Sequence, residues 1–423
     1  MLFQALTGPE FGLNLLSTTK ACAILTVPTE GPERGVPDAP GNRRQERFRI
    51  AMKLTIERAA LLKALNHVQS VVERRNTIPI LSNVKVEGKS GRVALNATDM
   101  DLDIVESIDA EVGRAGATTA PAHTFYEIVR KLPEGSQVEL DYAGKEGQLT
   151  LRSGRSKFAL PVLPVEDFPV LSGGDLPFSF TLSGDDLRAL IDRTRFAISS
   201  EETRYYLNGI YLHSAKSDGV PVLRAVATDG HRLARYQVPL PEGAAGMPGV
   251  IVPRKTVAEL RKLLDEGGDE VTVSLSESKI RFAFGAAAMT SKLIDGTFPD
   301  YERVIPADND KVLVVARNEF SDAVDRVSAI STERSRAIKL AVAKGSITLS
   351  ASSPESGSAT EELEASYDSS PIEIGFNSRY LLDIMGQIEG DAARFAMADA
   401  ASPTVVREVA DGGALYVLMP MRV

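Results

Sequence analysis

Tryptophan is absent from this chain, cysteine occurs once, as Cys22, and histidine occurs four times in 423 residues. A single cysteine rules out an internal disulfide and fits a reducing cytoplasm, so a cytoplasmic protein is expected. His67, His123, His213 and His231 are scattered, without the short spacings of metal ligands, and no metal site is expected. No apolar run approaches the roughly 18 residues of a membrane-spanning helix. Neither G-x-x-x-x-G-K-[ST] nor a strand-borne G-x-G-x-x-G occurs, so the usual nucleotide cradles are missing and no cofactor is expected. An excess of positive charge is missing too: Lys and Arg number 48 against 57 Asp and Glu, for a net −9. A nucleic-acid partner would have to be met by local basic surface.

What is present is the make-up of a globular protein, 43% hydrophobic and 25% charged. The length allows about three domains. Residues 1–51 stand apart. They are rich in Gly, Pro and Thr, end in the basic run Arg43-Arg44-Gln45-Glu46-Arg47, and lack the basic start of a secretory signal. They are expected to be a disordered tail, or upstream sequence translated from too early a start, with Met52-Lys53-Leu54 as the real beginning.

From there the chain repeats one plan at a spacing of about 125–135 residues, too long for a solenoid unit and right for tandem domains. Each copy opens with a β-prone run and an amphipathic helix. Leu54-Thr55-Ile56 leads into Leu61, Leu65, Val68 and Val72, which share a helical face. Phe180-Thr181-Leu182 leads into Leu187, Leu190, Ile191 and Thr194, with Ser183 and Asp186 spaced as a capping box. Leu313-Val314-Val315 leads into Phe320, Ala323, Val324 and Val327, with Asn318 as the expected cap. Two strands follow in each copy, at 84–86 and 93–96, 209–212 and 223–226, 338–342 and 346–350. Second helices are expected over 121–132, 253–264 and 377–388, the first two opening on proline in the first turn. Closing strands are expected at 138–141 and 148–151, 271–275 and 279–284, 394–397 and 416–419. Helices kept apart from antiparallel strands mean an α+β fold, not a parallel doubly wound sheet. The expected domains are 52–173, 174–303 and 304–423.

The densest chemistry lies in Ala227-Thr228-Asp229-Gly230-His231-Arg232-Leu233-Ala234, whose first three residues repeat Ala97-Thr98-Asp99. Three readings compete. His231 beside Asp229 and Arg232 could serve as a general base, yet no nucleophile, metal or cofactor motif accompanies it. Basic residues recur on equivalent helices (Arg58, Lys63, Arg130, Lys131; Arg188, Arg193, Arg195; Arg254, Lys255, Arg261, Lys262), interleaved with acids. That mixture suits loose contact with a DNA backbone better than base reading, and Arg204-Tyr205-Tyr206 adds a candidate stacking site. The end of the chain, from Tyr416 to Val423, is apolar and adaptable, with Met419 and Met421 around Pro420, and could line a peptide groove.

Six stretches then resemble one family. They are Thr77-Ile78-Pro79-Ile80-Leu81-Ser82-Asn83, Arg152-Ser153-Gly154-Arg155-Ser156, Arg204-Tyr205-Tyr206-Leu207-Asn208-Gly209, residues 227–234, Ser291-Lys292-Leu293-Ile294-Asp295-Gly296 with Phe298-Pro299-Asp300-Tyr301, and Met419-Pro420-Met421-Arg422. Inside a threefold repeat, they resemble the bacterial DNA polymerase III beta subunit, the replicative sliding clamp, over residues 52–423. The resemblance implies the DNA clamp fold: three similar domains, each with two helices packed on antiparallel sheets. It implies a ring made by two chains joined head to tail around duplex DNA, without sequence reading. It implies no catalysis. The ring would be a processivity factor, tethering the polymerase III catalytic subunit, other polymerases, the clamp loader and repair proteins through short peptides.

Carried over position by position, DNA contacts fall on Arg75, His123, Glu201, Tyr205 and Tyr206. His123 stands where the best-known members carry arginine, and Glu201, which would repel phosphate, where they carry glutamine. The peptide groove between the second and third domains falls on Leu207, Thr228, Gly230, His231, Arg232, Leu233, Pro299, Arg303, Val304, Val417, Leu418, Met419, Pro420, Met421 and Arg422. Pro403 replaces a polar residue often found at its edge. The subunit interface joins the strand at 152–158 to the region of Ala329 and Ile330.

Overall fold

The computed structural model describes residues 51–422, apart from 145–146, 172–173, 266–268, 332–335 and 411–412. Most of the expected tail, Val423 and the first domain's expected end at 173 therefore lie outside the described residues.

One plan runs three times. The first copy holds β1 (Met52–Glu57), α1 (Arg58–Gln69), β2 (Asn83–Lys89), β3 (Arg92–Thr98), β4 (Leu102–Asp109), β5 (Glu111–Arg114), β6 (Gly116–Pro121), α2 (Ala122–Lys131), β7 (Gln137–Tyr142), β8 (Gln148–Ser153) and β9 (Ser156–Pro161). The second holds β10 (Phe178–Ser183), α3 (Gly184–Asp192), β11 (Gly209–Ser217), β12 (Val220–Thr228), β13 (Arg232–Pro239), β14 (Val250–Pro253), α4 (Arg254–Asp265), β15 (Glu270–Leu275), β16 (Lys279–Phe284) and β17 (Ala287–Lys292). The third holds β18 (Lys311–Ala316), α5 (Arg317–Ser328), β19 (Ala337–Ala343), β20 (Ser346–Ser353), β21 (Gly357–Glu364), β22 (Ile372–Asn377), α6 (Ser378–Met385), β23 (Ala392–Met397), β24 (Thr404–Glu408) and β25 (Leu415–Leu418). The α+β class and the threefold plan are those expected. The strands β4, β13 and β21, which follow the Thr-Asp position of each copy, were not in the expected set.

The helices start where side chains can satisfy free N–H groups. Glu57 accepts from the Ala60 N–H at 2.9 Å, Ser183 from the Asp186 N–H at 3.0 Å and Asn377 from the Arg379 N–H at 3.0 Å. The Ser183 hydroxyl also donates to the Asp186 carboxylate at 2.7 Å, so that box closes on itself. Asn318 lies inside the first turn of α5, and Ala316 holds the cap position. Pro121 and Pro253 sit one residue before their helices rather than within the first turn, each ending a strand.

One arginine in each copy ties its two helices together. Arg58 donates to the carbonyls of Val129 (3.1 Å) and Arg130 (2.6 Å), Arg188 to Leu264 (3.0 Å) and Arg317 to Ile388 (2.5 Å). Arg58 and Arg188 thus meet the bare carbonyl end of the second helix, where the helix dipole favours a cation, while Arg317 meets the chain three residues past the end of α6. Arg58 and Arg188, which read as basic surface in the sequence, are structural caps.

The sheets ignore the copy boundaries. One eight-stranded sheet runs β10-β15-β16-β17-β4-β3-β2-β6, joining the second copy to the first through β17 and β4. Another runs β14-β11-β12-β13-β25-β24-β23-β18, joining the second to the third through β13 and β25. Two shorter sheets remain, β5-β1-β7-β8-β9 and β21-β20-β19-β22, with β9 and β21 at their edges. Among the described residues no helix is long and apolar enough to cross a membrane.

At the first junction Asp103 of β4 pairs with Thr290 of β17 and is only 7% exposed. Burial pushes its carboxyl up to about 6, against opposing help from Asn96, the Leu171 backbone, Lys85 and Arg281. A folded-state pKa above the unfolded one means that the ionised form is the unfavourable one. The penalty is absent below about pH 4 and complete above about pH 6, where it reaches at most about 3 kcal/mol. Asp103→Asn is therefore expected to melt above the parent at pH 8, with the two melting temperatures converging as the pH falls to 4. Scanning calorimetry across that range checks this, and a gap that does not change with pH would contradict it.

Candidate functional site

The turn at 228–232 is closed by bonds of its own threonine and aspartate, and Arg204 adds an outside bond to the Asp229 carbonyl at 3.2 Å. Thr228 donates to the Arg232 carbonyl at 2.7 Å and accepts from the Gly230 N–H at 3.1 Å. One oxygen of Asp229 accepts from the N–H groups of His231 (2.9 Å) and Arg232 (3.0 Å). The turn at 98–102 repeats this bond for bond, with Thr98 on the Leu102 carbonyl and the Met100 N–H, and Asp99 on the N–H groups of Asp101 and Leu102. Asp229 therefore serves the backbone, and the catalytic reading of His231 loses its orienting acid. Gly230 has φ +87°, and a Cβ there would stand 2.5 Å from a guanidinium nitrogen of Arg204. Met100 takes the equivalent place with φ +79°.

Beyond the turn, strand alternation divides the expected groove residues between two faces. Leu233 pairs with Val417. With Leu207 they form an apolar cluster that includes Val226, Ile251, Phe298 and Leu415, and Val304 packs on its edge. The next pair, Arg232 and Leu418, points to the other face. Leu418 is 1% exposed in the main core, and Arg232 is buried against Phe196 and Tyr380. Around the cluster, Thr228, Gly230, Pro299, Met419, Pro420 and Met421 are half-buried, while His231, Arg303 and Arg422 are exposed. The chain end is held by its own backbone: the Met419 N–H donates to the His231 carbonyl at 2.9 Å and the Met421 N–H to the Gly375 carbonyl at 2.8 Å.

The connector between the second and third copies is anchored beneath this surface. Phe298 stacks on Tyr211 with ring centres 4.8 Å apart. The Tyr301 hydroxyl meets a ring nitrogen of His213 at 3.0 Å and accepts from Arg224 at 2.9 Å, and Arg224 also bonds Glu302 at 2.7 Å. Burial lowers the His213 pKa, which favours the neutral ring. Sequence reading missed Phe196, Tyr380, Asp383 and this network. Tyr380 and Asp383 are separated by only three positions on α6, but nothing in that spacing says which copy they face.

The first junction carries the same scaffold with a different floor. Asn96, Asp103 and Thr290 stand where Val226, Leu233 and Val417 stand at the second. An apolar segment would have to strip water from those polar groups without replacing their hydrogen bonds.

Of the expected DNA contacts, Glu201, Tyr205 and Tyr206 come together beside and within the short 3-10 segment Glu202–Leu207. Tyr205 is 54% exposed, and its ring stands edge-on to Tyr206 at 5.8 Å. Glu201 pairs with Arg204 at 2.7 Å. In the first copy Arg75 is exposed. Both ring nitrogens of His123 are engaged, with Gln69 at 2.8 Å and the Val72 carbonyl at 3.0 Å. Arg193, also read as basic helix surface, is buried and reaches Glu389 of the third copy at 2.8 Å. A separate concavity of about 760 Å³, lined by Asp175, Phe178, Pro248, Glu277 and Lys279 among others, lies away from the residues singled out in the sequence. Among the described residues no cluster of His, Cys, Asp and Glu is disposed to hold a metal.

Comparison with known proteins accounts for the scaffold. Residues 52–172 match the N-terminal domain of the DNA polymerase III beta subunit, 181–300 its central domain and 302–422 its C-terminal domain. The chain is 58% identical to the beta sliding clamp of Caulobacter vibrioides and 37% identical to that of Escherichia coli, each over 372 residues that cover 88% of this chain and all of the relative. A crystal structure of the Caulobacter crescentus sliding clamp superposes with a TM-score of 0.85 at 57% identity, covering 88% of this chain and all of that one. A Bartonella birtlesii clamp bound to griselimycin does so at 0.86 and 52%, with the same coverage. The chain belongs to the DNA polymerase III beta subunit family, the sliding clamps that act as DNA polymerase processivity factors.

Proposed function

We propose that the cluster of Leu207, Leu233 and Val417 floors a peptide groove. Thr228, Gly230, His231, Pro299, Arg303, Val304, Met419, Pro420, Met421 and Arg422 surround it, and Arg232 and Leu418 support it from the opposite face. Short segments of the polymerase III catalytic subunit, other polymerases, the clamp loader and repair proteins dock there, while two copies close head to tail around duplex DNA. The domains on this reading are 52–173, 174–303 and 304–423, and the protein works in the cytoplasm without a catalytic step of its own. The observation that carries the groove is the contrast between the two junctions: one shared scaffold, with an apolar floor only at the second.

The sheet order supports closure. Both internal junctions join the opening strand and three closing strands of one copy to four strands of the copy before it, and on that plan β9 and β21 lack such a neighbour among the described residues. Their charges complement each other, with Arg152, Arg155 and Lys157 on and around β8 and β9 and Glu362 and Glu364 on β21, where Glu361 is already paired with Arg326 at 2.6 Å. An unpaired edge is a template for another chain. Phe158 beside one edge and the Ala329–Ile330 region near the other add apolar area to that interface.

DNA contact falls on Arg75, Tyr205 and Tyr206. His123 and Glu201 already have partners within the chain, and they contribute little on this reading. Most other helix cations are paired at home, as in Arg130–Glu127 (2.7 Å), Arg261–Asp192 (2.7 Å) and Lys262–Glu259 (2.7 Å). Neutralised helices give a weak grip, and a weak grip lets a ring slide.

Leu233→Asp places a carboxylate in the floor. It is expected to weaken a fluorescein-labelled polymerase-tail peptide at least about tenfold in an anisotropy titration. Unchanged affinity would remove the groove. Light scattering should give a mass twice the 45.5 kDa chain, and a stable monomer at micromolar concentration would remove the ring. Once loaded, the protein should stay on nicked circular DNA and run off linear ends. Equal retention on both would mean that it coats DNA rather than encircling it.

A further inference from the structure

Arg232 is a carried-over groove residue, yet its side chain is 8% exposed and each of its nitrogens is engaged. Nε meets the Asp229 carboxylate at 3.1 Å, Nη2 donates to the Phe196 carbonyl at 2.6 Å and Nη1 to the Asp383 carboxylate at 2.5 Å. The guanidinium lies 4.3 Å from the centre of the Tyr380 ring and 5.1 Å from that of Phe196. Asp229 and Phe196 belong to the second copy, Asp383 and Tyr380 to α6 of the third. Tyr380 in turn lies nearly parallel to His231, with ring centres 6.4 Å apart. A buried cation is tolerated only when it is paired and hydrogen-bonded, so this one fixes the geometry of every partner it has.

We propose that Arg232 is a positioning residue for the groove, holding α6 and its Tyr380 against the turn at 229–231 rather than touching the docked peptide. The proposal rests on the groove reading. The floor is set by backbone pairing of β13 with β25, whereas Tyr380 is brought to the turn by side chains. Arginine suits that task because one flat fork can serve two carboxylates and a carbonyl while stacking on two rings, which an ammonium cannot do. The first junction meets the same need with reversed polarity. Leu102 replaces Arg232 there, and Lys255 of α4 reaches the Asp99 carboxylate at 2.5 Å.

The test compares Arg232→Lys, Asp383→Asn and the double variant for binding of the labelled polymerase-tail peptide. Because the chain has no tryptophan, Tyr380→Trp installs a single indole whose emission reports on the wall without any peptide. Arg232→Lys and Asp383→Asn are each expected to weaken the peptide roughly five- to twentyfold, the double variant no more than the worse single one. Each should also shift the indole emission to the red in the Tyr380→Trp background. If Asp383→Asn changes neither affinity nor emission while Arg232→Lys weakens binding, Arg232 acts by direct contact and the proposal is overturned. Losses that simply add would overturn it too. Should Arg232→Lys fail to fold, the nearly isosteric Asp383→Asn still decides through both readouts. Leu233→Asp separates the two levels. Unchanged peptide affinity in that variant sinks the groove itself, while the emission shifts continue to judge the staple.

Discussion

An unpaired strand edge is a template for another strand, and the two long sheets of this architecture follow from that constraint. In the first and second copies the strand after the Thr-Asp turn lies against the next copy instead of its own closing strands. β4 therefore pairs with β17, and β13 with β25. The chain cannot be cut into three independent domains without exposing rows of backbone donors and acceptors. Each junction is a continuous strand pairing, and a surface built across one is held by backbone hydrogen bonds.

Much of this could be read from the sequence. The six helices were visible as apolar stripes, and the two strands after each first helix as β-prone runs, the second ending in Thr-Asp in the first two copies and in Ser352-Ser353 in the third. The third strands were not. β21 reads Gly-Ser-Ala-Thr-Glu-Glu-Leu-Glu, polar at nearly every place, and β13 carries two arginines. Their strand character comes from pairing: β21 lies against β20, and β13 lies between β12 and the distant β25. Position within a helix was similarly opaque. Arg58 and Arg188 looked like basic surface because the sequence does not show that a carbonyl end of another helix lies within reach.

The site was legible in its residue types but not in its two-sidedness. Leu233 and Val417 belong to one face, Arg232 and Leu418 to the other, and only the pairing of β13 with β25 reveals that neighbours in sequence serve different surfaces. Tyr380 and Asp383 left no trace in the motifs because their role depends on which turn α6 faces. The histidine that invited a catalytic reading lies at the rim of an apolar surface, and the aspartate beside it is spent on two backbone N–H groups.

The internal wiring of the Thr-Asp turn has a further effect. The bonds inside the turn use only the threonine, the aspartate and the backbone, and the same set forms at 98–102 and at 228–232 although different side chains follow. Three differences between the junctions, at 96 and 226, 103 and 233, 290 and 417, then separate a polar floor from an apolar one. On the proposed groove reading, the valency of the assembly is written in side chains alone: a ring of two chains offers two berths where its backbone symmetry would allow more, and duplicated copies diverge in binding without cost to the frame they share.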